Sequence, residues 1–259
     1  MKTIEVLIST MNQIDFSLLD KMNISTDAVV VNQCGKNDYF EFEYKSHHVK
    51  WINSNQVGLS KSRNLALSYS SGDVCVISDD DEIFYDDFSE KLLYFYNKHK
   101  NTSLITFNID SINNVRKRYF IKKDKRLHFF NIYRYGSARI SFKRKFVLTN
   151  SIFFNITIGA GTKDIPSGED NLFVKMCLKY GAKPRSVPVS VAKIDDSESN
   201  WFAGFDEKYF AHRGALMKLL HPKIHILMDF QYLVRHKNVW KKIGFRKALH
   251  HMIKRDEHE

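Results

Sequence analysis

Residues 74–84, VCVISDDDEIF, run from an apolar stretch with the character of a buried strand straight into Asp79, Asp80, Asp81 and Glu82. If the backbone stays extended, side chains alternate, so Asp79 and Asp81 point to one side about 7 Å apart and Asp80 to the other. Two unit charges at that spacing repel by roughly 0.6 to 2.4 kcal/mol for effective dielectrics of about 80 to 20. A cation would relieve them. Magnesium or manganese, taken by hard oxygen ligands directly or through water, is one candidate. The bland alternative is a solvated loop or the acidic first turn of the next helix, where negative charge is favourable.

Two further stretches carry groups of chemical interest. VGLSKSRNLAL, residues 57–67, places Lys61 and Arg63 near a helix start, where the macrodipole disfavours each cation by about 0.3–1 kcal/mol. A phosphate bound at that helix N-terminus would reverse the penalty; a surface turn with two exposed basic side chains is the plain alternative. In GAGTKDIPSGEDNLFVKMCLKYG, residues 159–181, the apolar positions Leu172, Phe173, Met176, Cys177 and Tyr180 recur at helical spacing and Gly181 closes the helix. Ser167 with Asp170 matches a capping box. Asp170 is therefore either a capping carboxylate or one held ionised beside a glycine-rich loop to accept a proton from a substrate hydroxyl. His212, in YFAHRG, is a metal ligand from a mobile segment or a structural histidine; Trp201, in SESNWFAGF, covers a ligand or anchors a loop. GAG lacks the full dinucleotide fingerprint and comes too late in the chain for a Rossmann cofactor site.

The elements that must position these groups alternate. Strand patterns occur at TIEVLIST, DAVVVNQ, HVKWIN, DVCVIS and SLITFNI, and helical ones at LSKSRNLALSYSSG and DFSEKLLYFYNKH, the latter with Phe88, Leu92, Leu93 and Tyr96 on one face. Such alternation implies an α/β fold with a parallel-rich sheet, whose ligands gather beyond the C-terminal strand ends. Those ends are Thr10 and Asn12, Asn32 and Gln33, and the Asp79–Glu82 run. From about residue 205 the pattern turns helical, so the chain divides into an α/β domain, 1–204, and a basic helical appendage, 205–259.

The 259 residues are 43% hydrophobic and 27% charged, a composition of folded protein. Cys34, Cys75 and Cys177 lack disulfide-framework or zinc spacing, which fits a reduced, cytoplasmic setting. The N-terminal apolar run is too short for a signal peptide, and IHILMDFQYLV falls well short of the roughly 20 residues needed to span a bilayer. A formal charge of +11 calls for nucleic acid, an anionic lipid surface or phosphorylated small molecules as partner. Basic residues cluster between Arg116 and Lys145, with Asp124 alone opposing them, and again near the C-terminus; acidic ones gather at 79–90 and 164–170.

In order and spacing, VLISTMN, VVVNQ, GLSKSRNLAL, VISDDDEI and GAG…GEDNLFVKMCLKYG resemble the motifs of family 2 glycosyltransferases of the GT-A fold, over roughly residues 3–192. The resemblance implies a nucleotide-diphospho-sugar transferase: a Rossmann-like, mixed but mostly parallel sheet flanked by helices. It implies that Thr10, Asn12, Asn32 and Gln33 line the base and ribose pocket, that Arg63 and Asn64 sit near the diphosphate or the DxD loop, and that Asp79 and Asp80 bind ribose and donor sugar. Asp81 would be the principal metal ligand, with His212 a second candidate. Asp170 would be the catalytic base, with Glu169 orienting the acceptor. Where many members end the second strand in an aspartate that reads uracil, this chain has Asn32 and Gln33.

The implied activity is an inverting, metal-dependent hexosyl transfer (EC 2.4), with Mn2+ or Mg2+ as cofactor. The sugar moves from a nucleotide donor, UDP-hexose first, to a glycan or lipid-linked acceptor in cell-surface polysaccharide synthesis. The basic regions would rest on an anionic membrane at the inner face, each lysine or arginine contributing about 1 kcal/mol, with Trp240, Ile243, Phe245, Leu249 and Ile253 giving the tail apolar character. A nucleotidyltransferase and a nucleic-acid-binding protein are the alternatives. The first should show a glycine-rich phosphate loop that STMNQIDF lacks, and the second a positive groove where this chain puts carboxylates.

Overall fold

A computed structural model describes residues 2–113, 119–128, 139–160, 162, 165–195 and 204–254. Its first half alternates as the hydrophobic pattern dictates: β1 (Ile4–Met11), α1 (Leu18–Lys21), β2 (Asp27–Gln33), β3 (Asp38–Tyr44), β4 (His47–Ser54), α2 (Leu59–Tyr69), β5 (Val74–Asp79), β6 (Glu82–Phe84) and α3 (Phe88–Lys98). Then come β7 (Leu104–Ser111), β8 (Lys125–Arg126), β9 (Ile140–Lys143), α4 (Arg144–Thr149), α5 (Glu169–Lys179) and β10 (Arg185–Ile194). Three helices follow: α6 (Glu207–Leu220), α7 (His225–Arg235) and α8 (Phe245–Ile253).

The strands form one mixed sheet in the order β3-β4-β2-β1-β5-β9-β7-β10-β6, with β8 beside β10. Most of the paired length is parallel: β1 pairs in parallel with β2 and β5, β2 with β4, and β7 with β10. Antiparallel β9 is wedged between β5 and β7. Alternation along each strand feeds two apolar layers. Ile4, Val6, Ile8, Val30, Val74 and Val76 pack with α1 and α3 on one face, whereas Leu7, Val29, Val31, Cys75 and Ile77 pack with α2, α4 and α5 on the other. The sheet is therefore covered on both sides, as a parallel-rich sheet requires.

The C-terminal helices have a core of their own, built from Phe210, Leu233, Ala248 and Met252. Trp240, Ile243, Phe245 and Leu249, four of the five apolar tail residues, pack onto that core, and Ile253 is exposed. Helices α6 and α8 approach so closely that a Cβ on Gly214 would lie 1.9 Å from the Met252 carbonyl oxygen. Helix α6 also packs against α5. Trp201 and much of the 116–145 basic cluster lie outside the described residues. Among those described, no helix is long and apolar enough to cross a membrane.

Candidate active site

Strand register brings the polar strand ends together. Thr10 is level with Asn32, Met11 with Gln33, and Ser9 with Asp79, so three consecutive central strands finish along one edge. The four-acid run begins there, but it does not continue extended: the chain turns at Asp80 and Asp81 before β6. The expected alternation of Asp79 and Asp81 on one side is thus replaced by a tight turn that gives each carboxylate a different environment.

Arg63 supplies the cation. It stands in the second turn of α2, 0% exposed, where its Nη2 donates to Asp79 Oδ1 at 2.8 Å and its Nη1 to Glu169 Oε1 at 3.0 Å. Its guanidinium lies 5.5 Å from the Phe154 ring centroid. Burial alone would pull the Arg63 pKa down, but Asp79 and Glu169, with Asp170 adding to them, raise it. Arg63 is no exposed side chain of a surface turn. The anion it meets is a pair of carboxylates of its own chain, while Lys61 is exposed.

The other acids are handled differently. Asp80 Oδ2 accepts from the Thr10 hydroxyl at 2.5 Å. Asp81 is exposed at the turn, and Glu82 is fully buried. Burial first, then the charges of Asp79 and Asp81, push the Glu82 carboxyl well above the usual carboxylate range, which favours its protonated form. The run is tolerable because one charge is paired, one is hydrogen-bonded, one is solvated and one is suppressed.

Several polar residues of the motifs turn inward. Asn32, 1% exposed, accepts from the Gln13 N–H at 3.0 Å and donates to the Gln13 carbonyl at 2.9 Å and to Asn53 Oδ1 at 2.9 Å. Gln33 Oε1 accepts from the Gly58 N–H at 2.7 Å, tying β2 to the α2 entry. Asn64 spends its amide on Phe154, donating to the carbonyl and accepting from the N–H, both at 2.8 Å. Through these contacts the three amides hold the loops that frame the site. Asn12, at φ 55°, is exposed beyond β1. Gln13, Asn53 and Phe154 escape a sequence reading, since nothing in their neighbourhoods signals a partner about 19, 21 or 90 residues away.

On the opposite wall, α5 begins at Glu169 with Gly168 as its N-cap, at φ 101°, one residue after the Ser167 cap position that the capping box calls for. A Cβ on Gly168 would lie 2.5 Å from Leu216 carbons, and this glycine lets α6 seat against the start of α5. Glu169 is 6% exposed and pressed against Gly159, where its Oε2 lies 2.9 Å from the place a Cβ would occupy. In this position Glu169 anchors Arg63. Asp170 is half-buried in the first helical turn and accepts from the Asn171 N–H at 2.7 Å.

Among the described residues no three His, Cys, Asp or Glu side chains gather to hold a metal ion. An ion at this tip would find at most Asp80 and Asp81 as carboxylate ligands and would have to draw the rest from water and a bound diphosphate, the usual manner of Mg2+. His212 is half-buried on the fourteen-residue helix α6 rather than on a mobile segment, and belongs to no such group.

The model of the family described as Glycosyl transferase family 2 matches residues 17–164, more than half of the chain. The chain belongs to glycosyl transferase family 2. That membership makes it a glycosyltransferase and takes the enzyme reading past the nucleotidyltransferase and nucleic-acid-binding alternatives. Among solved structures it is similar to S. aureus TarS 1-349, at TM-score 0.65 and 16% identity, covering 97% of this chain and 80% of that one. The same TarS segment in complex with UDP gives TM-score 0.65 and 17% identity, with 98% and 81% covered. The mannosyltransferase PcManGT from Pyrobaculum calidifontis, in complex with GDP-Man and Mn2+, gives TM-score 0.53 and 11% identity, with 97% and 73% covered. At these identities the likeness shows the GT-A fold. A search of curated protein sequences finds no significant match.

Proposed function

We propose that this family 2 glycosyltransferase moves a hexosyl group from a nucleoside-diphosphate donor to an acceptor hydroxyl with inversion, Asp170 acting as base. The observation that carries the proposal is the sorting of six carboxylic acids by Arg63. Asp79 and Glu169 are tied to it, Asp79 keeping 36% of its side chain exposed; Glu82 is buried where its protonated form is favoured; and Asp80, Asp81 and Asp170 also reach solvent. Because Arg63 joins the β5 tip to the start of α5, it fixes the distance between donor-side acids and base.

Asp81, with Asp80 beside it, would hold a Mg2+ or Mn2+ ion, which supplies charge neutralisation for the departing diphosphate. Asp170 takes the proton of the acceptor hydroxyl as that oxygen attacks the anomeric carbon and the nucleoside diphosphate leaves from the opposite side. An α5 N-terminus favours the ionised base, since negative charge is stabilised in a first helical turn. The TarS and PcManGT complexes hold UDP-GlcNAc, UDP or GDP-Man, which supports a nucleotide-sugar donor of this class, UDP-hexose first. The acceptor is a glycan or lipid-linked hydroxyl of cell-surface polysaccharide synthesis.

A donor-binding and hydrolysis screen across nucleotide sugars, with and without Mn2+, tests the reading. Asp81→Ala should abolish the metal-dependent part of donor binding. Asp170→Asn should leave donor affinity near normal while transfer falls by about 10^2- to 10^4-fold; undiminished transfer by that variant removes Asp170 as base.

A further inference from the structure

We propose that the outward face of α7 docks on an anionic phospholipid surface, its apolar side chains entering the boundary between headgroups and acyl chains. On α7 the buried positions Asp229 and Leu233 face the core, and the adjoining side presents Ile226, Leu227, Phe230 and Val234, which are 51%, 64%, 48% and 45% exposed, with Phe230 also meeting the Phe245 ring edge-on. Spacings of one, four and eight residues put these four on one face of the helix. No charged residue stands among them; Gln231 is their polar neighbour. Single exposed apolar residues are ordinary, whereas a contiguous row on one helix marks a docking surface. The row continues into a groove of about 520 Å3 at the start of α7, where Lys223, Ile224 and Leu249 join it.

Charge selects the occupant. Residues 205–254 hold eleven lysines and arginines against three acids, Asp206, Glu207 and Asp229. Asp229 is buried and Glu207 is paired with Lys247 and His251, so the outer surface of these helices is strongly positive. Lys218, Lys223, Arg235, Lys237, Lys241 and Lys242 are all exposed. A second copy of the chain would bring the same positive rim against this one. An anionic bilayer offers both an apolar layer for the row and phosphates for the rim, the pairing that holds interfacial helices in place. Long lysine stems also let the ammonium groups reach headgroups while the helix sits deeper.

Flotation of the full chain with vesicles of phosphatidylcholine, with and without phosphatidylglycerol, tests this without reference to activity. The wild-type protein should float with the anionic vesicles, weakly with the zwitterionic ones, and less as salt rises. Leu227→Gln with Phe230→Gln, exposed and uncharged replacements, should lower anionic-vesicle binding at least tenfold with an unchanged circular-dichroism spectrum. Leu227→Trp should blue-shift its emission on anionic vesicles and be quenched by brominated acyl chains. Absence of flotation by the wild type, equal binding by the glutamine variant, or a vesicle-blind dimer dispersed by that variant would each overturn the proposal.

Discussion

Arg63 and Asp229 are both 0% exposed, yet the two regions that enclose them treat a buried ionisable group in opposite ways. Around Arg63 the fold supplies a carboxylate on either side, from β5 and from α5, and a ring face from Phe154. Around Asp229, in the C-terminal helices, neither carboxylate oxygen has a hydrogen-bond partner, and the nearest ionic neighbour is His225 Nδ1 at 3.8 Å. Burial accordingly raises the Asp229 pKa from 3.8 to about 7, with Arg213 pulling the other way. The difference teaches where the charge is wanted. A partnered cation ties the β5 tip to the start of α5 as an ion, whereas an acid without a hydrogen-bond donor is held more readily in its protonated form.

Removing the partner should therefore cost most where a buried charge is held by two carboxylates. Arg63→Met leaves Glu169 buried without its cation and Asp79 facing Asp80 and Asp81, and we expect a loss of about 3–5 kcal/mol in urea unfolding. Neutralising all three groups together, as Arg63→Met with Asp79→Asn and Glu169→Gln, should recover much of that stability but no transfer activity, since the link between the walls is gone. A single Arg63→Met variant as stable as wild type would show the pairs to be idle.

At Asp229 the sign reverses. A folded-state pKa raised from 3.8 to about 7 means that the folded protein binds the proton more tightly than the unfolded chain. Its contribution is thus most favourable below about pH 4, declines as pH rises to about 7, and is fully lost above. The change amounts to on the order of 2–4 kcal/mol. Asp229→Asn should be more stable than wild type at pH 8 and lose that advantage at pH 4. Thermal melts of both proteins across this range measure the difference, which cancels contributions shared by the other titrating groups; a pH-independent gap would show that Asp229 stays ionised.

How far the sequence reveals this contrast depends on the range of each interaction. The β1, β2, β4, β5 and β7 strands and the α2, α3 and α5 helices follow from local periodicity, and with them the meeting of Thr10, Asn32 and Asp79 at one edge. Edge strand β3, DYFEFEY, is harder to see because both its faces are largely exposed, so no buried face stands out. The partnership of Arg63 with Glu169 spans 106 residues and joins two helices; residue types show that a cation is needed near Asp79 but not which one arrives. Amides such as Asn32, Gln33 and Asn64 are equally suited to a ligand or to a backbone, and tertiary placement alone gave them to the backbone. In the C-terminal helices, a loose amphipathic pattern did not distinguish the inward apolar residues of α8 from the outward ones of α7.

The smallest effect should come where a carboxylate is partnered but still reached by water. Thr10→Val keeps the side-chain shape and removes the hydroxyl that donates to Asp80 Oδ2. Since Asp80 is half-buried, solvent can replace the lost donor, and the expected cost is about 0.5–1.5 kcal/mol, the net value of one hydrogen bond. Thr10 also accepts from Gln13 Nε2 at 2.8 Å, so part of that cost belongs to the loop after β1 rather than to the acid run. Thr10→Ser restores donor and acceptor together and should return most of the stability. A loss in Thr10→Val as large as that in Arg63→Met would mean that Asp80 is sealed from water, and that the graded dependence on burial inferred from Arg63 and Asp229 does not extend to the tip of β5.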